Sequence, residues 1–263
     1  MLWQRIVTAA VVIPLVVALV VFGPWEAFFV VVAGLAVAGL VEFFTLALPG
    51  SRTAERTLGL LLGLLVLVAA EQGAAGLAGV TVALMAAALY HLGTWERDPE
   101  RLARMATLVF GVLYVSLLLS YLVQLRGLRL GREWLLVLLA GVWAGDTAAY
   151  GIGKALGRRP LSAQVSPHKT VEGAVAEFGG SLLAVAGSKL TFFPQLGWGD
   201  CALLTLGLGV LSQLGDLCES MVKRWAGVKE SGGLFPGHGG VLDRIDSLLF
   251  SAPFVYYYAL YRF

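Results

Sequence analysis

WEAFFVVVAGLAVAGLVEFFTLAL, residues 25–48, decides the class of fold. A helix needs about 20 mostly apolar residues to cross a bilayer core of ~30 Å. This stretch has them, with Glu42 the one acid set well inside. Similar runs flank it at roughly 6–22, 57–72, 74–92, 105–125, 134–152, 173–190, 199–217 and 241–261. Over 263 residues, 58% are hydrophobic and 14% charged, against about 25% charged in ordinary soluble domains. The mean hydropathy is +0.81. A soluble globule cannot hide that much apolar surface. The composition therefore excludes a soluble enzyme, a disordered chain, a fibrous repeat and a nucleic-acid binder, and the net charge of +2 gives no sign of an acidic partner. The expected fold is an all-α polytopic integral membrane protein of about nine transmembrane helices. The third run is short and glycine-rich and can be read with the fourth as one broken unit, so eight or ten spans are the alternatives. The first run is too long for a cleavable signal peptide and lacks its small-residue cleavage pattern. Cys201 and Cys218 form neither a disulfide framework nor a metal-binding pair, and read as small packing residues.

Lysine and arginine give the orientation. With nine spans, 14 of them fall on the side of the N-terminus and the loops near 49–56, 93–104, 153–172 and 218–240, against 5 on the other side. That places the first side in the cytoplasm and the C-terminus outside. Arg126, Arg129 and Arg132, in one outer loop, are discordant. The chain reads as one transmembrane domain, 1–263. Residues 1–130 are mainly structural and 131–263 carry the chemistry. In the quiet half, Glu42 is a functional candidate as an intramembrane acid, or an acid near a span end that snorkels or pairs with an arginine. WERDPERLAR (95–104) alternates charges and reads as a solvated interfacial helix.

The second half gathers polar residues at the cytoplasmic ends of its apolar runs: Asp146, Asp216, Glu219, Asp243 and Asp246, accompanied by Lys169, Lys223, Arg224, Lys229, His238 and Arg244. Carboxylates at membrane depth cost at least ~2.5 kcal/mol each unless paired or metal-bound. Asp243 and Asp246, at i and i+3, project from nearly one helix face, and Asp216, Glu219 or Ser220, and Lys223 share a stripe. Two helices can thus aim three aspartates at one point. Mg²⁺ takes carboxylate oxygens together with substrate phosphates, and Mg²⁺ with lysine and arginine equips phosphoryl or nucleotidyl transfer. The glycines of SGGLFPGHGG (231–240) let backbone N–H groups approach an anion. SPHKT (166–170) also reads as a turn with Ser166 or Thr170 capping the helix that begins near Val171, and Glu177 reads as a structural pairing residue. No P-loop G-x-x-x-x-G-K-[ST] is present.

SMVKRWAGVKESGGLFPGHGGVLDRIDS (220–247) resembles the signature of the phosphatidate cytidylyltransferase, or CDP-diglyceride synthase, family. The matching positions are Ser220, Lys223, Arg224, Lys229, His238, Gly239, Gly240, Asp243, Arg244 and Asp246; WAGDTAAYGIGKALGR, SPHKTVEG and QLGDLCES also look like family segments. One position departs: Glu230 stands where the family usually has Asp, and is read as ordering the loop rather than touching metal. The resemblance implies that CTP and phosphatidic acid give CDP-diacylglycerol and pyrophosphate, at an active site on the cytoplasmic face of a multi-pass protein of the cell (inner or plasma) membrane, bordered by membrane lipid, with a homodimer and no nucleic-acid partner. It assigns Mg²⁺ to Asp216, Asp243 and Asp246, with Asp146 as a further candidate. Lys169, Lys223, Arg224, Lys229 and Arg244 hold phosphates, and Ser166, Thr170, Ser220, His238, Gly239 and Gly240 complete the substrate site. Two other readings compete. A CDP-alcohol phosphatidyltransferase lacks support, because its D-G-x-x-A-R pattern is absent. An ion-coupled transporter puts its charges near the midplane of two related halves, whereas these acids cluster at one face of the second half.

Overall fold

A computed structural model of the chain describes residues 2–48, 50, 53–72, 75–94, 100–232 and 239–262. The helices are α1 (Leu2–Phe22), α2 (Trp25–Ala47), α3 (Thr53–Glu71), α4 (Ala75–Gly93), α5 (Arg101–Gly111), α6 (Leu118–Gly127), α7 (Gly131–Leu156), α8 (Val171–Thr191), α9 (Trp198–Trp225) and α10 (Leu242–Arg262). A π-helical turn, Val112–Leu117, joins α5 to α6 in one rod. Among the described residues, six helices are long and apolar enough to cross a membrane: Trp25–Ala47, Thr53–Glu71, Gly76–Gly93, Arg101–Gly127, Gly131–Leu156 and Trp198–Trp225. The chain is a helical, multi-pass membrane protein, and Val30, Leu77 and Leu183 remain exposed as on a lipid-facing surface. The other three apolar runs also lie on helices. Of α1, the described stretch Ala10–Phe22 is apolar, and α8 and α10 carry acids and small or aromatic residues that dilute their hydropathy. The third and fourth runs form two separate helices rather than one broken unit.

The helices sort into two compact units, Met1–Gln124 with Ala226–Arg244, and Leu125–Trp225 with Ile245–Phe263. In the first unit, the glycines that weaken the hydropathy of α3 are its packing positions. A Cβ at Gly59 would lie 2.5 Å from the Phe44 ring, and one at Gly63 would lie 2.7 Å from Ser116 Oγ. Small residues let helices in lipid approach closely where no hydrophobic force drives them together. Buried Glu55 ties α3 to α4 and α5: Arg104 Nη2 donates to Oε2 at 2.5 Å, and His91 Nε2 lies 3.2 Å from Oε1. Arg101 is buried too. The described part of 95–104 is therefore no solvated helix. Its arginines neutralise a buried acid and fill the packing beside it, and residues 95–99 lie outside the described residues.

In the second unit, α7 and α8 meet through small residues. A Cβ at Gly180 would lie 2.7 Å from Ala148 Cβ, one at Gly145 would lie 2.6 Å from Ser181 Oγ, and Ser181 donates to Gly141 O at 2.9 Å. Trp134, fully buried, stands edge-on to Phe193 with centroids 5.0 Å apart. Between α7 and α8 the chain makes a short antiparallel hairpin, β1 (Pro160–Ser162) and β2 (Ser166–Thr170), a local departure from an all-helical chain. Cys201 and Cys218 are free thiols.

Candidate active site

The hairpin brings a lysine to an aspartate. Thr170 ends β2 and caps α8, its hydroxyl accepting the Gly173 N–H at 3.1 Å. The Glu172 carboxylate accepts the N–H groups of Arg158 and Arg159 at 3.0 and 3.3 Å, which holds it below the usual carboxylate range. Braced at its C-terminal end, β2 sets Lys169 Nζ 2.6 Å from Asp216 Oδ2 on α9. Ser220, one turn further along α9, donates to Asp216 Oδ1 at 3.3 Å.

Asp216, Glu219 and Asp246 each place a carboxylate oxygen within 4.8 Å of the others. Gly215 permits this approach of α9 and α10, since a Cβ there would collide with the Asp246 backbone carbonyl. Glu219 is wholly buried and ion-paired with Lys223, one turn away. Asp246 Oδ1 accepts the Ser247 N–H at 2.8 Å. Asp146 on α7 joins the same electrostatic neighbourhood, where it feels Asp216 and Lys169 and takes a hydrogen bond from the Ser247 side chain. Deeper in the unit, buried Glu177 accepts a hydrogen bond from Ser212. Three hard carboxylate donors at this separation suit a hard divalent cation, which wants oxygen ligands and keeps room for phosphate oxygens. Lys169 and Lys223 add positive charge beside these carboxylates.

Asp243 is engaged differently. Its Oδ2 accepts the Ser231 N–H at 3.0 Å, the Ser231 hydroxyl at 2.8 Å and the Gly240 N–H at 2.8 Å. These bonds lie within the first unit. There Glu42 also accepts the N–H groups of Val241 and Leu242 at 2.9 and 2.8 Å. The N–H groups expected to approach an anion thus meet the protein's own carboxylates. Gly239 has φ +73°, a left-handed conformation that glycine adopts without penalty.

The structure therefore brings together Asp146, Lys169, Asp216, Ser220, Lys223 and Asp246 of the expected residues. Ser166 lies on β2, and Arg224 Nε reaches Val165 O at 3.2 Å beside it. Lys229 and Arg244 are exposed, and His238 lies outside the described residues. Glu219, named among the gathered acids and in the α9 stripe but not as a metal ligand, is a full member of the cluster. Its signal was the spacing of three from Asp216, hidden because Ser220 at i+4 reads equally well.

The chain matches the sequence profile described as the cytidylyltransferase family over residues 3–262. It is 38% identical over 287 aligned residues to a phosphatidate cytidylyltransferase of Synechocystis sp., covering 98% of this chain and 96% of that one. A phosphatidate cytidylyltransferase of Brucella suis is 45% identical over 151 residues, 56% of this chain and 54% of its own. One from Bacillus subtilis is 38% identical over 151 residues, 57% of this chain and 56% of its own.

Proposed function

The chain belongs to the cytidylyltransferase family, and on that premise we infer that it is a membrane-bound nucleotidyltransferase that makes CDP-diacylglycerol and pyrophosphate from CTP and phosphatidate. The observation that carries the site assignment is the grouping of Asp216, Glu219 and Asp246 beside Lys169. A phosphate oxygen of phosphatidate attacks the α-phosphorus of CTP, a new P–O bond forms, and the bond to the β-phosphate oxygen breaks with pyrophosphate leaving. No general base is needed, because the lipid phosphate is already largely ionised at neutral pH.

Asp216, Glu219 and Asp246 would hold the divalent cation, with Asp146 beside them; when bound, Mg²⁺ would neutralise charge on the triphosphate. Lys169 exchanges Asp216 for a phosphate oxygen when substrate arrives. Lys223 pairs with Glu219 inside the unit, which offsets the cost of burying that carboxylate. By the signature, Arg224, Lys229 and Arg244 bind phosphate as well. The excess of lysine and arginine on the loops 153–172 and 218–240 supports a cytoplasmic active site, where water-soluble CTP meets a lipid headgroup. The test uses purified protein in lipid vesicles with labelled CTP, phosphatidate and Mg²⁺. Label is expected in the lipid extract with equimolar pyrophosphate, and only when phosphatidate is present. No transfer overturns the reaction, and full transfer in excess chelator overturns the metal site.

A further inference from the structure

Glu42 lies in α2, far in sequence from every signature residue, yet three hydrogen bonds fasten its carboxylate to that signature. Oε1 accepts the Val241 N–H at 2.9 Å; Oε2 accepts the Leu242 N–H at 2.8 Å and the Ser231 hydroxyl at 3.0 Å. Ser231 opens the glycine loop and Val241 closes it, so one carboxylate ties both ends. The loop's small residues fit around that carboxylate. A Cβ at Gly232 would lie 2.5 Å from Glu42 Oε1, and a Cβ at Gly240 would overlap Glu42 Oε2 and Ser231 Oγ. Leu242 begins α10, so two of the accepted N–H groups belong to the unsatisfied donors of a helix start, where a negative charge is also favoured by the helix dipole. An acid that merely snorkelled to the membrane surface would aim at water, whereas this one is spent on backbone donors.

We propose that Glu42 is a positioning residue of the nucleotidyl-transfer reaction, which acts by fastening Ser231 to the start of α10 and so fixing the backbone that carries Asp243 and Arg244. The proposal rests on the functional reading above. Glu42 touches no substrate; it fixes the backbone of Arg244, which by the signature binds phosphate. Replacing it leaves the Val241 and Leu242 donors without that carboxylate and frees the start of α10 to sample other positions. Nucleotide binding then suffers more than the chemical step, because a segment already ordered by bound substrate has paid its ordering cost.

The test joins amide hydrogen exchange to steady-state kinetics on the full-length protein in vesicles. In the unaltered protein the Val241 and Leu242 amides are expected among the slowly exchanging ones. Glu42→Gln keeps the volume but turns one acceptor into a donor. It should speed exchange at those two amides by about tenfold, leave α3 and α4 unchanged, and raise KM for CTP by about tenfold with a smaller fall in kcat. Glu42→Asp, which keeps the charge, should recover part of the KM. Where Glu42→Gln does not fold, Ser231→Ala decides, with the same signs and a smaller size. Unchanged exchange at Val241 and Leu242 overturns the clamp. Faster exchange with unaltered KM and kcat overturns its role in the reaction. Absence of CTP-dependent transfer in the unaltered protein refutes the functional reading instead, and the exchange data still judge the clamp.

Discussion

At the α9–α10 cluster, Asp216, Glu219 and Asp246 crowd oxygens against one another; at the glycine loop, Glu42 and Asp243 present theirs to N–H groups. Both regions hold acids at the ends of apolar helices, where charge is costly, and they neutralise it by different means. Backbone donors are permanent partners and make a rigid frame. Like charges within 4.8 Å of one another, countered by two lysine side chains, make a place whose balance improves when a cation arrives. The first arrangement builds shape, and the second supports the proposed ion site. Replacing acids in the two regions should therefore fail in different ways.

The largest effect is expected at the cluster. Asp216→Asn and Asp246→Asn each remove a charge that the proposed cation would need, while keeping size and most hydrogen bonding. Turnover at saturating CTP and Mg²⁺ should fall at least about 100-fold, which is about 2.7 kcal/mol in the barrier, while the melting temperature in detergent holds or rises as like-charge repulsion is relieved. A variant that keeps more than about a tenth of the activity, a loss under ~1.4 kcal/mol, would remove that residue from the ion site.

A smaller effect distinguishes Gly240 of the glycine loop from Gly227, which precedes it. A Cβ at Gly240 meets Glu42 Oε2 and Ser231 Oγ, both already committed to hydrogen bonds. Gly240→Ala should therefore cost about 1–3 kcal/mol, the usual range for overpacking, and lower the melting temperature together with the activity. Gly227 has φ +72° and nothing within 4 Å of a built Cβ. Gly227→Ala carries only the left-handed strain of roughly 1–2 kcal/mol, and should leave KM for CTP within about twofold. Equal KM effects at the two positions would mean that the loop is not shaped around its carboxylates.

How much of this was readable from the chain depends on distance along it. The apolar runs were legible because lipid imposes their length, and each one lies on a helix. The i, i+3 spacing of Asp216 and Glu219 was legible for the same local reason. The approach of Lys169 to Asp216 was not, because it depends on a hairpin of three and five residues whose strands are too short for an alternating pattern. Asp243 and Asp246 share a helix face, and that spacing grouped them as ligands. Asp243, however, sits in the first turn of α10, where the nearest donors are its own loop's N–H groups. Glu42 stood out as an acid inside an apolar run, but nothing in its neighbours announced a partner about 190 residues away. The glycines of α3 looked like weakness in a span and serve as its contacts with Phe44 and Ser116.

The smallest effect is expected at Glu230, where the family resemblance expects Asp. Its side chain is exposed, next to buried Ser231 but outside the group formed by Asp216, Glu219 and Asp246. An exposed carboxylate is well hydrated, and a water can bridge the methylene lost in Glu230→Asp at modest cost. An ion ligand has no such latitude, since Mg²⁺ holds its oxygens at ~2.0–2.1 Å in a near-ideal octahedron. The Mg²⁺ concentration for half-maximal activity should therefore stay within about twofold in Glu230→Asp, with turnover and melting temperature unchanged. A rise beyond about tenfold, equal to ~1.4 kcal/mol of lost ion affinity, would place Glu230 on the ion. The glycine loop would then be part of the metal site, and the contrast between a permanent frame and an exchangeable cation would fail.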